Sequence, residues 1–237
     1  MPHMLDGVGM VLDKVSKDKC PICEKKKHDT TKAKKDGEGE LKSIPKNLGC
    51  TAIKQRPSLP NYTTAAHHLI PANQCLKAFS RLSQMCKAVG YDVNNSKNGM
   101  SLPTVGQGKA NVYTDRRQKY GKLSDEDKRE VSFLIMERLD KQWHVGHHKW
   151  STGELNLNTD GIAHVENYDK LVKIKLRDLE QDIKDTGEDI CDPKKKERGT
   201  EIIDSMNALS AEIGGKVTAW NNYFVSALSC KFAAKYR

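Results

Sequence analysis

Five of the eight histidines fall in two short stretches: His67-His68 in "TTAAHHLIPANQ" (residues 63–74), and His144, His147 and His148 in "WHVGHHKW" (residues 143–150). Imidazoles bind divalent metals and exchange protons near neutral pH, so such clusters suit metal-assisted hydrolysis. In a strand, adjacent side chains point to opposite faces. His67 and His68 side by side can therefore serve two different tasks, one as a metal ligand and one facing a separate partner. His144 and His148 are four residues apart and share one face if the segment is helical, which lets both grip one ion. Gly146 between them makes a tight turn the alternative conformation.

A second metal-ligating pattern is "CPIC", Cys20 and Cys23 with Pro21 between them. This spacing forms the knuckle of many zinc sites, and Cys50 or His28 would supply further ligands. No second CxxC follows, so ordinary thiols are the competing reading. A redox CxxC is disfavoured because no βαβ pattern surrounds it. Seven cysteines, odd in number and unevenly spaced, argue for thiols and a metal site and against a disulfide framework. Cys75 and Cys86, eleven apart on one helix, read as core residues.

The elements that must position these groups are mostly helical. After Pro71, Leu76, Phe79, Leu82 and Met85 recur at helical spacing, with Gly90 as the C-cap. "NNSKNGMSLP" reads as a turn leading into a short strand. "SDEDKREVSFLIMERLDKQW" opens on Ser124 with Asp127 three residues later, an N-capping pattern. Val131, Leu134, Ile135, Arg138 and Leu139 then form a stripe. Two more helices are expected, over 162–184 (Val165, Tyr168, Leu171, Val172, Leu179, Ile183) and over 200–233 (Ile202 through Leu228). Gly214-Gly215 is the expected break in the second. The divisions predicted are a loop-rich segment with a zinc knuckle over 1–62, a core over 63–185 and a helical extension over 186–237.

Charge narrows the partner. The 237 residues carry a net charge of +9 and a sequence pI near 9.1, which favours a polyanion, nucleic acid first. No apolar run reaches 18 residues, so no membrane-spanning helix and no membrane partner are expected. The first residues lack the charged and apolar regions of a signal peptide.

Paired histidines in a strand, then an asparagine before a second strand, then an HxxxH segment: this order resembles the HNH nucleases, the ββα-metal group. More closely it resembles the AHH family of the HNH/endonuclease VII superfamily. The matching residues are "AHHLIP" (66–71), "NGMSLP" (98–103) and "HVGHHKW" (144–150), and the resemblance spans about residues 64–180. It implies an α+β fold, mostly helical, with a ββα-metal core and additional helices before and after it. It implies that His67 is a metal ligand, His68 the general base, Asn98 the residue that orients the base or its loop, and His144 and His148 the remaining metal ligands. The long insert between Asn98 and His144 departs from the shortest HNH forms and leaves His147 as the alternative to His148. The cofactor is one divalent ion, Zn²⁺, Mg²⁺, Mn²⁺ or Ni²⁺. Arg116, Arg117, Lys119 and Lys149 are candidate phosphate clamps, with a solvated face as the equal alternative for Arg116 and Arg117.

The same resemblance implies the toxin module of a secreted antibacterial effector of type VI or polymorphic kind. Such a module follows a delivery domain, acts in the cytoplasm of the target cell, and is held in check by a cognate immunity protein, expected to be acidic. Two other activities stay open on the residues: a ribonuclease using the same site, and a zinc-dependent nucleic-acid-binding module without catalysis.

Overall fold

A computed structural model describes residues 14–25, 40–105, 119–144, 167–192 and 199–237. The class is α+β. Among the described residues the sheet has two antiparallel strands, β1 (Thr63–His68) and β2 (Gly99–Thr104), with helices α1 (Ser80–Val89), α2 (Asp125–Leu139), α3 (Tyr168–Asp185), α4 (Gly187–Ile190), α5 (Thr200–Thr218) and α6 (Ala227–Tyr236). Among the described residues, no helix is long and apolar enough to cross a membrane.

Two compact units are interleaved along the chain. One takes the described residues of Met1–Ile44, Ile70–Asn98 and Val172–Ala211, and the other those of Pro45–Leu69, Gly99–Leu171 and Glu212–Arg237. Helices α3 and α5 each contribute residues to both.

In the first unit, α1 follows a single 3-10 turn at Leu76–Ala78, and Leu76, Phe79, Leu82, Met85, Cys86 and Val89 are all buried. Gly90 ends the helix at φ 82°, in the left-handed region that glycine enters without a Cβ penalty. The next residue completes the cap, the Tyr91 N–H donating to the Cys86 carbonyl at 2.9 Å. The buried Glu180 of α3 accepts from the Leu82 N–H at 2.8 Å, one of the helical donors that has no partner within its own helix.

In the second unit, the core gathers Phe133, Ile135 and Met136 of α2, Trp143, Trp220, Phe224, and Cys230, Phe232 and Ala233 of α6. Phe133 meets Phe232 edge-on, ring centres 5.4 Å apart. Ser124 caps α2 as its pattern predicts, its hydroxyl accepting from the Asp127 N–H at 3.1 Å. The buried face of α2 shares Ile135 with the predicted stripe, and Val131, Leu134 and Leu139 pack against the core, but the face is centred elsewhere. Ser132, Phe133, Ile135 and Met136 are buried, whereas Val131, Leu134 and Leu139 are half-buried and Arg138 is exposed. The aromatic ring and the flexible thioether fill the core, and the aliphatic residues beside them cover its rim.

The break expected at Gly214-Gly215 is absent, and α5 runs through both to Thr218. A Cβ on Gly214 would stand 3.3 Å from Leu69 Cδ1 and 3.6 Å from Met100 Cε, so this glycine brings α5 close to the strand pair. The chain turns farther on, where Trp220 (φ 57°) and Asn222 (φ 60°) adopt left-handed backbone. Gln142, 1% exposed, holds that turn. Its amide donates to the carbonyls of Val217 (2.8 Å) and Tyr223 (3.0 Å) and accepts from the Val225 N–H (2.9 Å). The Ser226 hydroxyl then starts α6 by accepting from the Ser229 N–H.

Candidate functional site

Hairpin register decides where the paired histidines point. His67 faces Met100 and His68 faces Gly99 across the ladder. Being adjacent, the two rings leave opposite faces of the strand pair. His67 is 1% exposed and His68 8%. On the face that Gly99 and His68 share, a Cβ added to Gly99 would lie 2.7 Å from the Leu48 carbonyl oxygen, 3.0 Å from Leu48 Cβ and 3.1 Å from Cys50 Sγ. The Leu48–Cys50 segment therefore packs directly against β2 at the point opposite His68, and only a glycine admits it.

His144 lies just past α2. The helix ends at Asp140, whose left-handed backbone (φ 50°) closes the C-terminus. The chain then meets β2. His144 donates its N–H to the Pro103 carbonyl at 3.0 Å, and its own carbonyl accepts the Thr104 hydroxyl. Pro103 has no N–H to offer, so β2 presents an acceptor at that position and His144 takes it. The two backbone bonds bring the His144 ring to 5.1 Å from the His67 ring, centre to centre, at 66° between planes. Two imidazoles bound to one ion through nitrogens at about 2.0–2.1 Å place their ring centres roughly 5 Å apart, a spacing this pair shares.

Tyr168, the first residue of α3, braces the same place. Its ring meets His67 at 5.1 Å, and its hydroxyl donates to the Leu69 carbonyl at 2.6 Å, one residue past the histidine pair. Its aromatic edge packs on Tyr223, ring centres 6.1 Å apart. The sequence shows Tyr168 only as one member of an apolar helical stripe. Its role depends on a contact 99 residues away, and periodicity carries no sign of that.

Asn98, wholly buried, ends a 3-10 turn immediately before β2. Its carbonyl oxygen accepts from the Ile70 N–H at 2.8 Å and from the Ser210 hydroxyl at 3.1 Å. Its amide donates to the Val93 carbonyl at 2.8 Å and the Ile70 carbonyl at 3.2 Å. Both polar groups of Ile70, two residues after His68, are thus held by one side chain. The hydrogen bonds of Asn98 are those of a loop clamp.

The cysteine knuckle lies in the first unit, and its third partner differs from the sequence expectation. Cys20, Cys23 and Cys191 bring their sulfurs within 4.8 Å of one another, with Cys20 Sγ and Cys191 Sγ 3.8 Å apart. Cys50, the residue expected there, belongs to the second unit and sits against Gly99. Cys191 is 171 residues from Cys20, and a lone cysteine at that distance carries no spacing signal. The Cys20 sulfur beside it, with burial, pushes the Cys191 thiol far up. Lys119, half-buried, precedes the 3-10 turn at Tyr120–Lys122. His147, His148, Arg116, Arg117, Lys149 and His28 lie outside the described residues. The chain matches no family model, no curated protein and no solved structure.

Proposed function

We propose that this chain is a metal-dependent endonuclease of the HNH type that hydrolyses phosphodiester bonds of DNA. The observation that carries the reading is the 5.1 Å approach of the His67 and His144 rings beside a strand whose last residue is a second histidine. His67 and His144 are the protein ligands of a divalent ion, with His148 as the third. Such an ion supplies Lewis acidity to a phosphoryl oxygen and offsets charge on the departing 3′-oxygen.

The remaining chemistry belongs to the chain. His68, the last residue of β1 and next in sequence to His67, takes the proton of the attacking water while the P–O3′ bond breaks. The imidazole suits that task because it gains and releases protons near neutral pH. Asn98 keeps the turn after His68 in one shape through Ile70. Tyr168 excludes water from one side of the His67 ring by packing on it. The ββα-metal resemblance extends the proposal to a toxin module of a secreted effector, active in a target cell's cytoplasm and neutralised by an acidic immunity protein. The net charge of +9 supports both an anionic substrate and an anionic inhibitor.

The test incubates supercoiled plasmid, linear duplex and single-stranded RNA with the purified chain and Mg²⁺, Mn²⁺, Ni²⁺ or Zn²⁺, with EDTA as control. Nicking and linearisation of plasmid that EDTA stops is the expected result. Cleavage of RNA alone would make the enzyme a ribonuclease, and retention of DNA without cleavage under every metal would make it a binding module.

A further inference from the structure

We propose that Cys20, Cys23 and Cys191 hold a structural zinc ion, separate from the histidine centre, that fastens the "CPIC" turn to the chain after α4. The inference is independent of the nuclease reading, since it uses different residues and different donor chemistry.

The geometry comes first. Two sulfurs bound at about 2.3 Å to one tetrahedral ion stand roughly 3.8 Å from each other. Cys20 Sγ and Cys191 Sγ are 3.8 Å apart, and Cys23 Sγ lies within 4.8 Å of both. A disulfide would need its sulfurs at about 2.05 Å, and would use two of the three and strand the last. Thiolates are soft donors, and three of them select zinc over magnesium or manganese. They leave one tetrahedral position for water or a further donor.

Local structure is shaped around the cluster. The turn closes through the Glu24 N–H donating to the Cys20 carbonyl and the Cys20 N–H donating to the Lys25 carbonyl, both at 2.9 Å, with Glu24 in left-handed backbone at φ 60°. Helix α4 can approach because its first residue is glycine. A Cβ on Gly187 would stand 2.7 Å from the Ile22 carbonyl oxygen. One turn later, the Cys191 N–H donates to the Gly187 carbonyl at 3.1 Å, which delivers the third sulfur.

The outer faces of the turn are held by Arg81 of α1, 3% exposed. Its Nε donates to the Pro21 carbonyl and its Nη2 to the Ile22 carbonyl, each at 3.0 Å, and its Nη1 pairs with the Glu24 carboxylate. Three thiolates and one divalent ion leave a net charge of −1, and the Arg81 guanidinium, shared with the Glu24 carboxylate, lies against the peptide groups between Cys20 and Cys23 and fixes their orientation. Second-shell hydrogen bonding of this kind fixes ligand orientation in metal sites generally.

The experiment loads the full chain with Co²⁺ as a spectroscopic stand-in and measures zinc by elemental analysis after purification without chelator. Expected are a thiolate-to-cobalt charge-transfer band in the parent, zinc bound tightly enough to survive desalting, and a lower melting temperature after chelation. A His67→Ala/His144→Ala double variant should keep the band, and Cys50→Ser should keep it too. Cys191→Ser should lose it. Should Cys191→Ser fail to fold, the parent spectrum and the chelation shift still decide. No thiolate–cobalt band in the parent would overturn the site. So would full zinc retention in Cys191→Ser, or a mass two daltons low from a disulfide in protein purified under reducing conditions.

Discussion

At the end of β1, His68 stands opposite Gly99, where the facing strand offers no side chain to share its work. Replacing it with alanine removes an imidazole without touching His67, which leaves the strand on the other face. We expect His68→Ala to cut plasmid about 10²–10⁴-fold more slowly while binding metal and DNA as the parent does. Cutting at the parental rate would remove His68 from the role of base. Asn98 answers to a different measurement. Asn98→Ala strands the buried N–H of Ile70 and carbonyl of Val93, at roughly 1–3 kcal/mol for each buried group left unpaired. The denaturant midpoint should fall accordingly, and an unchanged midpoint would mean that the loop does not depend on the clamp. The histidine pair and the asparagine could be read from the sequence because their residue types are rare together at such spacing. Cys191 and Tyr168 could not, because each acts on a partner 171 and 99 residues away. A long-range contact leaves no local pattern.

Helix α1, its glycine cap and the serine cap of α2 follow from the sequence, since apolar spacing and cap chemistry act within a few residues. The buried face of α2 follows only in part: Ile135 and the residues packed beside it belong to the predicted stripe, whereas Phe133 and Met136 enter a core completed by α6 and Trp143. The end of α5 does not follow. Two glycines look like a break, yet Gly214 is a point of close packing and the turn comes at Trp220 and Asn222, pinned by the distant Gln142. The hairpin offers the sharpest test at this scale. Gly99 admits the Leu48–Cys50 segment, and a methyl group there would press on a backbone carbonyl at 2.7 Å, which cannot rotate away as a side chain would. Gly99→Ala should destabilise the protein by about 1–3 kcal/mol, the usual range for overpacking. It should also slow cleavage, because β2 carries the register of His68 and the Pro103 anchor of His144. Full activity with an unchanged melting temperature would show that the segment moves aside freely.

For the whole molecule, two titrations are foreseen, one of protons and one of salt. Burial, with the Glu180 carboxylate adding to it, pushes the Cys86 thiol from 9.0 up to about 12. Burial likewise pushes the Tyr91 hydroxyl upward. A raised value means that the folded chain keeps a proton the unfolded chain has released. For Cys86 the stabilisation is complete below about pH 9 and is lost as pH rises toward 12, at up to roughly 1.4 kcal/mol per pH unit; for Tyr91 the loss begins above about pH 10. Urea midpoints taken from pH 8 upward should fall, and Cys86→Ala, though less stable at neutral pH, should show a shallower decline. The salt titration reads the net charge of +9. Each phosphate neutralised lowers the slope of log K against log salt by about 0.9, so the four candidate clamps Arg116, Arg117, Lys119 and Lys149 correspond to about −3.6 and nine contacts to about −8. Fluorescence anisotropy of a labelled duplex across roughly 50–200 mM salt should give a slope between these values. Alanine at Arg116 and Arg117 together should flatten it by about 1.8 if both touch phosphate, and leave it unchanged if both belong to a solvated face. His68→Ala should keep the parental slope while losing cleavage, which separates the charge that gathers the substrate from the imidazole that acts on it. A slope near zero in the parent would assign the nine charges to solubility and remove the polyanion from the account of this chain.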